Sequence, residues 1–203
     1  MKAVARMAAL HMRTVAPFQS QFFLVFGVAA LIDARSPTVV APALAVLLAP
    51  YLAVQPFQIA EKADLDTLYA VLPAPRHAVL RAYYVWAMAS YAATVVVGTL
   101  LAYVFARIEG VAFGGRSLVT MLVLSWALFA VNIAIQFPIL IRFGYARVSV
   151  LATTLPLALV MLAAYKLHLT VASIQVWLPL LGVAGVVAFV ASATLAPRLR
   201  KAV

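Results

Sequence analysis

The sequence predicts an all-α, polytopic membrane protein. It is one bundle of six spanning helices, with a surface helix before the first and an amphipathic cytoplasmic segment between the second and third. Three observations carry this reading. Of the 203 residues, 67% are hydrophobic and 10% are charged, against roughly half and a quarter in soluble domains. The apolar residues fall into runs close to the ~20 needed to cross a bilayer as a helix, and the length accommodates about six such runs. The charged residues collect between the runs. No space is left for a nucleotide-binding or catalytic domain of ~100 residues. The absence of cysteine excludes disulfides, thiolate metal sites and cysteine nucleophiles.

Residues 1–13 carry Lys2, Arg6, His11 and Arg13 among Ala, Met and Leu, the pattern of a basic amphipathic helix lying along the membrane. The run 17–32 is read as an uncleaved first span, not a signal peptide, because further spans follow it. Asp33, Arg35, Ser36 and Pro37 make a polar turn. The second span, 39–60, contains Pro42, Pro50 and Pro56. Each proline removes a backbone donor, so a kinked or partly broken helix is expected, its freed carbonyls satisfied by neighbours.

The stretch from 61 to 81 is the one long hydrophilic segment and holds three of the five acidic residues, Glu61, Asp64 and Asp66. Leu65, Leu68, Tyr69 and Leu72 recur at i, i+3, i+4 and i+7, one apolar stripe of a helix. Glu61, Lys62, Asp64 and Asp66 form the polar face around it. Pro73 and Pro75 end the helix, and a new helix leads past Arg76, His77 and Arg81 into the third span, 82–106. A loop with Arg107, Glu109, Gly114, Gly115 and Arg116 follows. The fourth span, 118–140, holds Asn132 and Gln136. A short basic connection, IRFGYARVS, carries Arg142 and Arg147 into the fifth span, 148–164. After Lys166, His168, Thr170, Ser173 and Gln175 comes the sixth span, 176–195, and a basic end.

Charge counting sets the orientation. With both termini cytoplasmic, eleven of the 15 Lys and Arg residues lie inside and four, Arg35, Arg107, Arg116 and Lys166, lie outside. This agrees with the positive-inside rule and puts residues 61–81 in the cytoplasm of a multi-pass plasma-membrane protein. The net charge of +10 is then explained by topology and anionic lipid headgroups, with no nucleic-acid partner implied.

The search for chemistry comes back nearly empty. There is no G-x-x-x-x-G-K-[ST] phosphate loop, and the three histidines, His11, His77 and His168, lie on separate segments. No Asp or Glu falls inside a span, which argues against an intramembrane hydrolase and against ion-coupled transport. Neither an enzyme nor a metal site is expected. Asn132 and Gln136, four apart on one helical face, either line a substrate path or hydrogen-bond between helices, the latter worth ~0.6 kcal/mol per contact. Gln55 and Gln58, near the inner end of the second span, have the same two readings. Gly182 and Gly185, with Ala184 and Ala191, suggest close helix packing. The aromatics Tyr83, Tyr84, Trp86, Trp126 and Trp177 suit core or interfacial roles.

Two stretches carry a resemblance. LDTLYAVLPAPRHAVLRAYYVWA, with Leu72-Pro73, then Arg76, then Val79 to Tyr83, resembles the signature of export-type ABC transporter permeases. More narrowly, it is similar to the short six-span bacterial permeases paired with separately encoded ATPases, including exporters of antimicrobial peptides and toxins. FPILIRFGYARVS, with Pro138, Phe143-Gly144 and Arg147, is the second match. Pro75, and a short outer loop before the sixth span, depart from the family pattern. The resemblance implies a half-transporter that pairs with itself or with a paralogous permease on two cytoplasmic ABC ATPase subunits, which bind ATP and Mg. Residues 61–72 would be the coupling helix seated in the ATPase. Its contacts would come from Glu61, Asp64, Leu65, Leu68, Tyr69, Leu72, Pro73 and Arg76, with Phe143, Gly144 and Arg147 as a second contact. Residues 1–13 would match the family's interfacial connecting helix. The alternative is a non-transporting scaffold or regulatory subunit that recruits a cytoplasmic protein.

Overall fold

The computed structural model describes residues 37–63, 76–110, 114–148, 151, 155, 159 and 171–199. Four long helices occupy most of this: α1 (Pro37–Lys62), α2 (Arg76–Glu109), α3 (Gly115–Phe143) and α4 (Val171–Leu199). Residues 145–148 and positions 151, 155 and 159 are helical as well. Three stretches, His77–Glu109, Gly115–Phe143 and Gln175–Ala196, are long and apolar enough to cross a membrane. The expected surface helix 1–13, the first span 17–32, the stretch 64–75 and most of the fifth span lie outside the described residues.

α1 packs along both α2 and α3, and α3 packs along α4. Lipid is as apolar as leucine, so helices associate there through close packing and hydrogen bonds. The contact surfaces show both. Along α1, Ala45, Ala49 and Ala53 repeat every four residues and are fully buried, a small-residue seam that lets neighbouring backbones approach. On α4, a β-carbon at Gly182 would meet Val123 Cγ1 at 3.3 Å. One at Gly185 would meet Trp126 Nε1 at 3.0 Å and the Ala127 Cα at 3.3 Å. The close packing expected of these glycines is thus present, against α3.

Between the seams runs a continuous column of rings drawn from all four helices. Phe57 stacks on Tyr83 at 4.2 Å between centroids and meets Phe137 edge-on at 5.0 Å. Phe137 lies edge-on to Tyr84 at 5.0 Å, and Tyr84 to Phe189 at 5.5 Å. The column continues through Trp126 and Tyr91 to Phe129, which stacks on Tyr91 at 4.7 Å. Offset and edge-on pairs of this kind add to packing because ring faces and edges carry opposite partial charge. Polar ties cross the same surfaces: the Tyr84 and Ser192 hydroxyls share a hydrogen bond of 2.7 Å, and the Trp126 indole donates to the Gly182 carbonyl at 3.3 Å.

One expectation needs correction. α1 is not broken: it is one helix from Pro37 to Lys62, through all three prolines. Pro56 has no N–H for the Leu52 carbonyl one turn earlier. The Trp86 indole of α2 donates to that carbonyl at 2.9 Å instead, so the proline's missing bond is made between helices. The new helix expected after Pro75 is present and long. α2 starts at Arg76, directly after Pro75, and runs 34 residues. At 1.5 Å per residue this is about 51 Å, well beyond the ~30 Å hydrocarbon core. Arg76, His77 and Arg81 are therefore the first two turns of α2.

Candidate partner-docking end of the bundle

α1 ends, α2 begins and α3 ends at one end of the bundle, so the segments flanking residues 61–81 and 141–148 come together there. The connection expected between the fourth and fifth spans shrinks to one residue. α3 stops at Phe143, Gly144 alone is non-helical, and helix resumes at Tyr145. Gly144 has φ 81° and ψ 159°, a region open essentially to glycine only. Its N–H still bonds to the Leu140 carbonyl at 2.9 Å, closing α3.

The first amides of a helix have no acceptor within it. Ala146, one of these, donates its N–H to Glu61 Oε2 at 2.7 Å. The Glu61 carboxylate lies over Gly144, whose absent β-carbon would sit 4.0 Å from both carboxylate oxygens. Two segments that the sequence suggests as separate partner contacts, one with Glu61 and one with Phe143, Gly144 and Arg147, are thus joined in a single site. Ala146 and Tyr145 escaped the sequence reading. The signal that points to them is a glycine unable to cap the helix it precedes. Tyr145 is half-buried against the core, and burial pushes its phenol pKa up, with Tyr51 and the Glu61 carboxylate adding to the rise.

The rest of this end is basic and partly apolar. Phe143 is 49% exposed, with the Arg142 guanidinium 5.3 Å from its ring centre. Lys62, His77, Arg81, Arg142, Arg147 and Arg198 are exposed. Among the described residues the opposite end carries Arg107, Glu109 and Arg116, where the Tyr103 hydroxyl accepts two hydrogen bonds from the Arg107 guanidinium. Arg76 opens α2. Asp64, Leu65, Leu68, Tyr69, Leu72 and Pro73 lie outside the described residues.

In the interior, Asn132, Gln136 and Gln55 are buried and Gln58 is half-buried. Among the described residues Asn132 Oδ1 and Gln136 Oε1 are buried without a hydrogen-bond partner, so these oxygens do not make the interhelical bond suggested for them to any described helix. The Thr99 hydroxyl of α2 is likewise without a partner, whereas the Ser90, Thr94 and Ser125 hydroxyls each bond back to a carbonyl of the preceding turn.

The sequence model of the family described as ABC-2 family transporter protein matches residues 11–199. The chain belongs to the ABC-2 transporter family. No curated protein and no solved structure matches it. As an ABC-2 permease, the chain is the membrane subunit of an ABC transporter, and permeases of this family generally pair with a cytoplasmic ABC ATPase. Membership extends across α1 to α4 and so includes the joined end of the bundle.

Proposed function

We propose that this ABC-2 permease is the six-span subunit of an ATP-driven exporter. Both termini are cytoplasmic, and two permease chains, identical or paralogous, form the pathway on two ATPase subunits that bind ATP and Mg. Residues 61–72 dock in the ATPase, and Phe143, Gly144 and Arg147 make the second contact. The observation that carries the docking assignment is the Glu61–Ala146 hydrogen bond. It joins Glu61 to the helix after Gly144 on one exposed, basic face, beside a projecting phenylalanine, and this supports docking at both segments.

The test is a pull-down. The chain purified in mild detergent should bring down an ATPase with vanadate-sensitive activity. Asp64→Lys or Leu68→Asp should abolish stimulation of that ATPase and transport, while membrane insertion stays intact. Undiminished stimulation in both variants would refute the docking role. A tightly bound ATPase with no transport would favour the scaffold reading.

The pathway is assigned to the polar stripe of α3 at Asn132 and Gln136, with Gln55 and Gln58 of α1. Support comes from the two orphaned oxygens. A buried acceptor without a donor costs about 1–3 kcal/mol, a penalty that is relieved when a passing polar group or water supplies one. Thiol labelling at Gln136→Cys tests this.

A further inference from the structure

We infer that Glu61 is a positioning residue for coupling. Its carboxylate clamps the end of α1 to the helix that resumes after Gly144, so that the two cytoplasmic segments move as one body. This rests on the docking reading above.

Three features point the same way. First, the bond is short for a backbone donor, 2.7 Å, as expected when the acceptor is charged. Second, the resumed helix cannot cap itself. The residue before it is where Ser, Thr, Asp or Asn would accept the first amides. Here that residue is Gly144 at φ 81°, with no side chain and a backbone conformation closed to those residues. The acceptor must come from elsewhere, and it comes from 85 positions away in the chain. Third, the carboxylate bonds to a backbone amide at an end of the bundle rich in exposed cations. Lys62, Arg142 and Arg147 are all exposed near this end. Among the described residues Glu61 is the acid there, yet its hydrogen bond goes to a backbone amide.

The consequence is mechanical. A push on residues 61–72 reaches the resumed helix directly through this hydrogen bond, besides the packing of α1 on α3. A change of state needs contacts that differ between the states. With the clamp in place, the end of α1 and residues 145–148 offer the ATPase one surface; without it they offer two that respond separately.

The experiment uses the full chain in lipid nanodiscs, with Glu61→Ala, which removes the acceptor, and Glu61→Gln, which keeps a carbonyl and drops the charge. Hydrogen exchange of the Ala146 amide should quicken about tenfold in Glu61→Ala and less in Glu61→Gln. Unchanged exchange in Glu61→Ala overturns the clamp. Because the chain has no cysteine, Ala60→Cys and Val148→Cys, both partly exposed and outside the docking residues named above, provide a unique pair of spin-label sites. In the complex with its ATPase, the dipolar separation should be the same in nucleotide-free and vanadate-trapped states. In the Glu61→Ala background it should differ between those states. An Ala background that matches the parent overturns the coupling role. Exchange is read on the chain alone. If no ATPase is recovered, the docking reading and the coupling role fall together, and exchange still decides the clamp.

Discussion

Gly185 lies where α4 comes closest to α3, and its missing side chain sets the distance between them. A β-carbon there would meet the Trp126 indole nitrogen at 3.0 Å and the Ala127 backbone at 3.3 Å. The indole has little freedom to retreat, because it packs against Tyr91 and Phe189 and donates to the Gly182 carbonyl. Gly185→Val should therefore push the helices apart and destabilise the fold by about 1–3 kcal/mol, read as a lower midpoint of thermal unfolding in detergent. An unchanged midpoint would mean that α4 is not seated on α3 as described. The small-residue character of this position was legible in the sequence. The identity of its neighbour was not, since nothing in the spacing of Gly182 and Gly185 selects Trp126 from the aromatics of α3.

Among the helices, the informative case is α1. Three prolines predicted a kinked or partly broken helix, and the break is absent; the lost donor was weighed without knowing that Trp86 supplies another at Leu52. Trp86 lies 34 positions along the chain from Leu52, and Ala146 lies 85 from Glu61. Apolar runs show that helices exist and about where they end; they carry no trace of which distant donor answers which freed carbonyl. The same blindness made two contacts of the Glu61 and Phe143-Gly144 segments. A double-mutant cycle checks the proline account. Trp86→Phe alone leaves the Leu52 carbonyl without a donor and should cost about 1–3 kcal/mol. In a Pro56→Ala background the backbone N–H regained at that position serves the carbonyl, and the same Trp86→Phe substitution should cost markedly less. Equal costs in both backgrounds would show that the indole bond does not stand in for the proline's missing N–H.

At the scale of the whole molecule, the outward surface and the charge distribution fit a bilayer. Along α4, Val176, Leu180, Val183, Val187 and Val190 are each more than half exposed, a stripe that water would not tolerate at this length. Basic residues gather at the end that holds Lys62, Arg81, Arg142, Arg147 and Arg198, while Arg107 and Arg116 mark the other. The proposed orientation makes an accessibility prediction on the cysteine-free chain. An impermeant maleimide applied to intact cells should label Arg116→Cys and spare Arg147→Cys. Labelling of Arg147→Cys instead would invert the topology. Gln136 and Ile133 are both buried in this state, so a small cationic thiosulfonate should modify Gln136→Cys about tenfold faster than Ile133→Cys during transport, when a pathway position is reached by water and a packing position is not. Equal rates would remove the α3 stripe from the pathway.

The bond from Trp86 to the Leu52 carbonyl also bears on how the protein is made. In the six-span arrangement proposed above, α1 enters lipid, until α2 is in place, with a backbone acceptor that its own Pro56 cannot satisfy. Hydrocarbon offers no donor, so α1 is more stable in the membrane with its successor than without it. The two helices then leave the insertion machinery best as a hairpin, the later member completing the earlier.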